Sequence, residues 1–222
     1  MVIEIRLSGF LYLLILVLQI AMAAFGYILD PRPKHYDSDA KLLEINDNPK
    51  KFQKSIVLAL IEHFSVITLA IMLFIAFSSY NLILGIVLTI FRTAEGSIQV
   101  YIEKDYWKLL NIARKYSATS GTEKKSLSDS FRNILQTKSF RFGFVMICWS
   151  IGTLAFSILL VTYEVVPVFI GWLGIVASIP VGFVNVIKII KPNFKFYDGM
   201  SSVGGLLAIG FEVIIGGWLL FF

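Results

Sequence analysis

Five ionisable side chains lie inside long apolar stretches of this sequence, where charge is costly. Glu62 and His63 are neighbours, Glu95 follows Arg92 by three residues, and Glu212 lies far along the chain. We expect Arg92 to share an ion network with two of these acids, leaving one carboxyl protonated. A protonatable glutamate with His63 nearby is suited to relay protons or to bind a cation or polar solute. The structural alternative is that the network only fixes how the helices register.

These side chains do not make a known catalytic motif. The chain has two histidines, His35 and His63, and no HExxH pattern, P-loop, GxSxG or GxGxxG. The single cysteine, Cys148, excludes an internal disulfide and a cysteine-based zinc site. We therefore predict no catalytic residue, no metal and no cofactor. The remaining metal alternative lacks a diagnostic spacing and would use the polar set Glu62, His63, Glu95 and Glu212.

Composition decides the class of protein. The 222 residues are 57% hydrophobic and 16% charged, and the mean hydropathy is +0.77. Soluble domains carry about 25% charged and about 45–50% apolar residues. The departure excludes a soluble enzyme, a disordered tail and a nucleic-acid-binding domain. The net charge of +5 is therefore interpreted as loop charge facing a membrane surface.

The elements that must position the ionisable residues are membrane-spanning helices. A hydrocarbon core of ~30 Å takes about 20 helical residues to cross. The apolar runs are continuous rather than alternating, which favours helices over a barrel. We predict an all-α fold, one domain over residues 1–222, with spans at residues 7–29, 55–77, 82–102, 142–163, 166–190 and 200–222.

Lysine and arginine predict the orientation of the bundle. They concentrate in and beside three loops, residues 30–54, 103–141 and 191–199, whereas the other side has Arg6 alone. The positive-inside rule then places these loops in the cytoplasm and both termini outside the cell membrane. An alternative is that residues 6–23 are a signal peptide, but its cleavage would place the basic loops outside, against this bias.

The basic loop, residues 103–141, has a pattern of its own. Residues 105–114 and 127–135 mix apolar and basic side chains at helical spacing, and residues 117–126 between them are polar. We predict two amphipathic helices on the cytoplasmic leaflet, in contact with anionic lipid head groups, joined by a flexible segment. A docking site for a membrane protein partner or a second copy of the chain is the alternative.

Spans five and six each carry a stripe of small residues. Small residues let helix backbones approach closely, so these two spans are predicted to pack through their stripes. Pro180 is predicted to kink span five. The stripes consist of Gly171, Gly174, Ser178, Gly182 and Asn185 in span five, and of Gly205, Ala208, Glu212 and Gly216 in span six.

Four passages resemble a family of prokaryotic multi-pass membrane proteins, number 4386 among the domains of unknown function. They are the Arg-x-x-Gly-x-x-Tyr element that starts at Arg6, residues 48–52, the Arg-x-x-Glu element that starts at Arg92, and residues 211–219. The resemblance covers essentially the whole chain. It implies a six-helix integral membrane protein without an assigned activity, and it points to Arg6, Arg92, Glu95 and Glu212.

Three functions remain open from the sequence. The leading hypothesis is a small transporter or channel-like protein that uses the buried arginine and glutamates. The second is a non-catalytic structural or regulatory subunit of a membrane complex. The third is a membrane-embedded enzyme with a centre at Glu62, His63 and Glu95.

Overall fold

Helices account for nearly all of the chain that the structure describes. The computed structural model describes residues 2–28, 37–191 and 197–222, and no strand occurs in these ranges. The all-α prediction is confirmed. The seven helices of the described ranges are α1 Val2–Ala24, α2 Ser38–Asp47, α3 Pro49–Phe77, α4 Leu82–Ala118, α5 Gly121–Tyr163, α6 Val168–Ile190 and α7 Tyr197–Phe221.

Six of these helices, all except α2, are long and apolar enough to cross a membrane. Their outward faces carry large exposed hydrophobic side chains such as Val17, Phe169 and Leu206. Such faces suit contact with acyl chains, and the predicted multi-pass membrane protein is confirmed. The first helix ends at Ala24, before the predicted boundary. Residue 29, the predicted end of span one, and the predicted loop residues 30–36, including His35, and 192–196 lie outside the described residues.

The six long helices form a closed ring. In ring order α1 packs on α3, α3 on α4, α4 on α5, α5 on α6 and α6 on α7, and α7 packs back on α1. Side chains from all six fill the middle of the ring with one apolar core, including Leu69, Phe156 and Phe211. Helices α4 and α7 therefore face each other across the centre rather than side by side.

The basic loop is helical, but its helices are continuous with the spans. Helix α4 has 37 residues and α5 has 43. At ~1.5 Å per residue they are about 55 and 65 Å long, well beyond a hydrocarbon core of ~30 Å. The predicted flexible segment at residues 117–126 shrinks to Thr119 and Ser120. Neither glycine nor proline occurs between residues 97 and 120, so nothing stops α4 at the edge of the membrane.

The extensions build a second core, which we call the basic lobe: α2 with residues 103–118 of α4 and 121–141 of α5. The buried apolar side chains of the extensions face α2 and each other rather than a lipid surface. Tyr106 is fully buried and stacks on Tyr27, with ring centroids 4.5 Å apart. A salt bridge of 2.6 Å from Arg141 to Asp105 ties the two extensions together.

The turn between α5 and α6 contains a strained residue. Glu164 caps α5 with φ 51°, in the left-handed region that suits glycine. We expect Glu164→Gly to raise the free energy of unfolding by about 0.5–1 kcal/mol, because relief of strain exceeds the added entropy of the unfolded chain. SDS-titrated unfolding in mixed micelles measures the change. Glu164→Gln keeps the Cβ and removes the charge, so an equal gain in that variant would contradict the backbone explanation.

Candidate functional site

A first polar cluster lies at the centre of the ring, and we call it the midplane cluster: Arg92, Glu95, Glu212 and Trp149. The Arg92 Nη1 donates to Glu95 Oε2 at 2.9 Å, and its Nη2 lies 3.9 Å from Glu212 Oε1. The indole of Trp149 donates to Glu212 Oε1 at 2.9 Å. The two acids and the arginine are 9% exposed or less. The structure therefore places Arg92 within 4.0 Å of both acids, and this arrangement joins α4 to α7 across the ring.

Glycines make room for this cluster. A Cβ placed on Gly152 of α5 would lie 2.8 Å from Cγ of Arg92. A Cβ on Gly96 would lie 2.9 Å from the carbonyl oxygen of His63, so this glycine lets α4 approach α3 closely. The close approach brings Glu62 and His63 of α3 next to the polar face of α4.

A second polar cluster lies nearer the basic lobe, and we call it the cavity cluster: Glu62, His63, Glu103, Tyr27 and Lys138. The ring nitrogens of His63 join the two acids, Nδ1 to Glu62 Oε2 and Nε2 to Glu103 Oε1 at 3.2 Å. The histidine can therefore pass a proton between two carboxylates on different helices. All three residues are 6% exposed or less.

Tyr27 and Lys138 extend this cluster into the basic lobe, to which Lys138 belongs. The Tyr27 hydroxyl donates to Glu103 Oε1, and Lys138 Nζ donates to the Tyr27 oxygen at 3.2 Å. The Lys138 amine also lies 3.3 Å from the ring centroid of Tyr106. Burial raises the pKa of the Tyr27 hydroxyl well above its ordinary value. Tyr27 therefore remains a hydrogen-bond donor to Glu103 at neutral pH.

A cavity of about 210 Å³ opens among these side chains. Two oxygen atoms on it, Gln99 Oε1 and Glu103 Oε2, are buried without a hydrogen-bond partner among the described residues. Gln19 lines it too and donates to Glu62 Oε1 at 3.1 Å. The other lining residues are Met22, Tyr27, His63, Ile102, Lys138 and Phe142.

One face of α4 joins the two clusters. Arg92, Glu95, Gln99 and Glu103 follow one another at spacings of three, four and four. At ~1.5 Å per residue, Arg92 is about 15 Å and Glu103 about 31 Å from the start of α4 at Leu82. The polar face therefore runs from the middle of a hydrocarbon core to its edge at the basic lobe.

Sequence reasoning missed Glu103, Tyr27 and Lys138. Glu103 falls in the predicted loop, although its spacing of four from Gln99 continues the polar face of α4 and is the sequence signal that identifies it. Tyr27 was assigned to span one as part of its apolar run. No sequence signal identifies it or Lys138, because their place in the site depends on the fold of the basic lobe.

The small-residue stripes pack differently from the prediction. Gly171 and Gly182 meet α5, at Val161 and Ser150, rather than α7. Gly205 lies in α7. A Cβ on Gly205 would have nothing within 4 Å among the described residues, so the predicted contact there is wrong.

Two other stripe positions do lie between helices. Gly174 lies between Ser157 of α5 and Phe211 of α7, and Ala208 is part of the common core. Gly216 packs on Tyr12 and on the carbonyl of Gly9, so it serves the α1 to α7 contact. At Gly216 the stripe of α7 therefore packs on α1 rather than on α6.

Helix α6 is continuous through Pro180. The neighbouring Ser178 is fully buried, and its carbonyl oxygen accepts a hydrogen bond of 2.7 Å from Ser150 Oγ of α5. Side chains of an adjacent helix commonly satisfy backbone groups near a proline within a membrane. The predicted kink at Pro180 stays a prediction.

The described residues contain no group of three or more His, Cys, Asp or Glu side chains placed to hold a metal ion. Hydrogen bonds and ion pairs connect the side chains of each cluster. Carboxylates, an imidazole and a fixed guanidinium are groups that can exchange protons and bind polar or charged groups.

The family model of a domain of unknown function, DUF4386, matches residues 7–222. The chain belongs to the DUF4386 family. Searches of curated proteins and of solved structures found no match to it. Family membership agrees with the six spanning helices of this DUF4386 protein and assigns it no activity.

Proposed function

We propose that this DUF4386 protein is a small proton-conducting transporter or channel-like protein. One observation carries the proposal: a line of protonatable and polar side chains runs from an open cavity at the basic lobe to the midplane cluster. Ionisable residues are costly inside a membrane and usually mark a path for ions, protons or substrates. A network that only fixes the relative positions of the helices would need one ion pair rather than two clusters on one face of α4.

The path is polar on one side of Arg92 and apolar on the other. Between Arg92 and the turns at Ser78 and Glu164, the core is filled by side chains such as Leu88, Phe77 and Phe156. The rings of Phe77 and Phe156 lie 5.4 Å apart. The polar line is therefore open at the cavity and blocked by apolar side chains beyond Arg92. This arrangement supports alternating access, in which only one side of the transport path is open at a time.

Each cluster has a distinct part in the proposed mechanism. His63 exchanges protons between Glu62 and Glu103 at the cavity. Arg92 provides a fixed positive charge that holds Glu95 and Glu212 at the centre of the ring, where loss of a proton from either acid changes the balance of the network. A shift of α7 relative to α4 is then coupled to protonation.

We also propose the orientation of the protein in the cell membrane. The basic lobe faces the cytoplasm, both termini face outside, and lysines and arginines of the lobe contact anionic head groups. What supports this is the concentration of basic residues in residues 103–141. A membrane protein partner or a second copy of the chain remains the alternative contact of the lobe.

Proton flux into proteoliposomes tests the proposed function. Vesicles contain a pH-sensitive dye, and a potassium diffusion potential drives protons inward. We expect vesicles that contain wild-type protein to acidify faster than protein-free vesicles. In Glu62→Gln and Glu212→Gln the rate should fall to the protein-free level, because neither amide can carry the proton.

Glu123→Gln is the matched control, because Glu123 is an exposed carboxylate in the first turn of α5. Its flux should equal that of wild type. The potential is applied in each direction in turn. The proposal would be overturned if the internal pH of vesicles with wild-type protein changed no faster than that of protein-free vesicles in either direction. That result would favour an ion network that only fixes helix register.

A further inference from the structure

We propose that the cavity binds a small organic ammonium ion, held by Gln99 and Glu103. The identity of this ligand as the transported substrate rests on the proposed function, but its binding does not. The site is built from four helices or their ends: Gln19 of α1, Glu62 of α3, Gln99 and Glu103 of α4, and Phe142 of α5.

The cavity lacks hydrogen-bond donors for two of its oxygen atoms. Gln99 Oε1 and Glu103 Oε2 have no partner among the described residues, and Glu103 is only 2% exposed. A buried acceptor without a donor costs free energy, more so on a carboxylate. The ligand that completes the site must therefore bring N–H or O–H groups rather than more acceptors.

The other carboxylate oxygens of the cavity already have partners. Glu62 accepts from Gln19 and is bonded to His63, and the second oxygen of Glu103 accepts from Tyr27. These bonds hold the two carboxylates in place and leave one oxygen of Glu103 for the ligand. An anion would meet this oxygen with like charge, so the oxygen favours a cation over carboxylic acids and phosphates. Lys138 also lines the cavity, and its amine donates to the Tyr27 oxygen and lies over the Tyr106 ring.

A metal ion is a poorer match than an ammonium ion. The described residues offer no group of three or more ligating side chains for one. An ammonium group needs two or three acceptors, and its charge-assisted hydrogen bond to a carboxylate is about twice as strong as a neutral one.

The rest of the cavity suits a short carbon chain. Met22, Ile102 and Phe142 line it, so its wall combines apolar side chains with the two free acceptors. Its volume of about 210 Å³ exceeds the ~30 Å³ share of one water several-fold. A primary amine of a few carbons can place its ammonium on Gln99 and Glu103 and its carbons on the apolar wall.

Isothermal titration of the detergent-solubilised full chain with n-butylammonium chloride tests this site. We expect saturable binding that 1-butanol, butyrate and tetramethylammonium do not reproduce, since each lacks either the charge or the N–H groups. Glu103→Gln and Gln99→Leu should each weaken binding about tenfold or more, because each removes one acceptor. Glu123→Gln should leave the affinity unchanged.

Gln99→Glu keeps the proposal testable if Glu103→Gln fails to fold. It places a second carboxylate beside the ammonium, and we expect it to tighten butylammonium binding by about tenfold. A merely structural Gln99 would not produce this gain. No saturable binding of butylammonium, or equal binding of 1-butanol, would overturn the inference and leave water as the occupant.

Binding and transport can fail separately. Titration in detergent requires no gradient and no proton movement, whereas the vesicle assay requires no amine. Butylammonium binding without proton flux would support the ammonium site and contradict the proposed function. Proton flux without butylammonium binding would support the proposed function and contradict the ammonium site.

Discussion

Replacing Arg92 with glutamine is expected to lower the free energy of unfolding by about 3–5 kcal/mol, the usual effect of removing one partner of a buried ion pair. The substitution leaves Glu95 and Glu212 facing each other at the centre of the ring, without the guanidinium that lies between them. SDS-titrated unfolding in mixed micelles gives the free energy, and a thermal melt in detergent gives the same ranking.

The triple variant Arg92→Gln, Glu95→Gln, Glu212→Gln should recover much of this loss, because no charge is then left unpaired. Arg141→Gln is the control. Arg141 pairs with Asp105 in the basic lobe, where its side chain is 30% exposed, so we expect a loss below about 1 kcal/mol. An Arg92→Gln variant as stable as wild type would mean that the network is not a structural lock, and would favour a purely functional reason for these charges.

Gly9→Ala is expected to reduce the free energy of unfolding by about 1–3 kcal/mol, through overpacking between α1 and α7. The added Cβ would lie 2.7 Å from the carbonyl oxygen of Gly216 and 2.8 Å from the carbonyl carbon of Leu219. Both are backbone atoms that cannot rotate away, so the two helices must separate. The same unfolding titration measures the effect.

Gly217→Ala is the matched control in α7, one residue from Gly216. A Cβ at this position has nothing within 4 Å among the described residues. Alanine favours a helix over glycine by about 0.5–1 kcal/mol, so this variant should gain stability while Gly9→Ala loses it. Equal changes of one sign in both variants would contradict the close packing of α1 on α7.

The sequence predicted the spans well because each is a long apolar run, and hydrophobicity alone decides what crosses a membrane. It predicted Arg92, Glu95 and Glu212 for the same reason, since charges inside such runs are conspicuous. It did not predict which helix each stripe faces. Gly205 and Gly216 belong to the same stripe. A Cβ on Gly205 would have no neighbour within 4 Å among the described residues, whereas Gly216 packs on α1. Neighbours in a ring depend on how six helices pack, which no single span encodes.

The basic lobe shows a second kind of limit. Residues 105–114 have the pattern of a helix that lies on a membrane, and the same pattern also suits a helix packed on α2 and α5. Tyr106 is fully buried against Tyr27 and Phe52, which are distant in the chain. An amphipathic pattern identifies an apolar face but not its partner, so the lobe and its part of the site could not be predicted.

The closed ring also constrains the order in which the protein is made. A ribosome delivers α4 to the membrane long before it delivers α7, so Arg92 enters without Glu212. Glu95, three residues on in the same helix, accepts Arg92 Nη1 at 2.9 Å and accompanies it from the start. The helix is therefore inserted with its guanidinium already paired. When α7 follows, it takes its place between α6 and α1, and Glu212 completes the charge network.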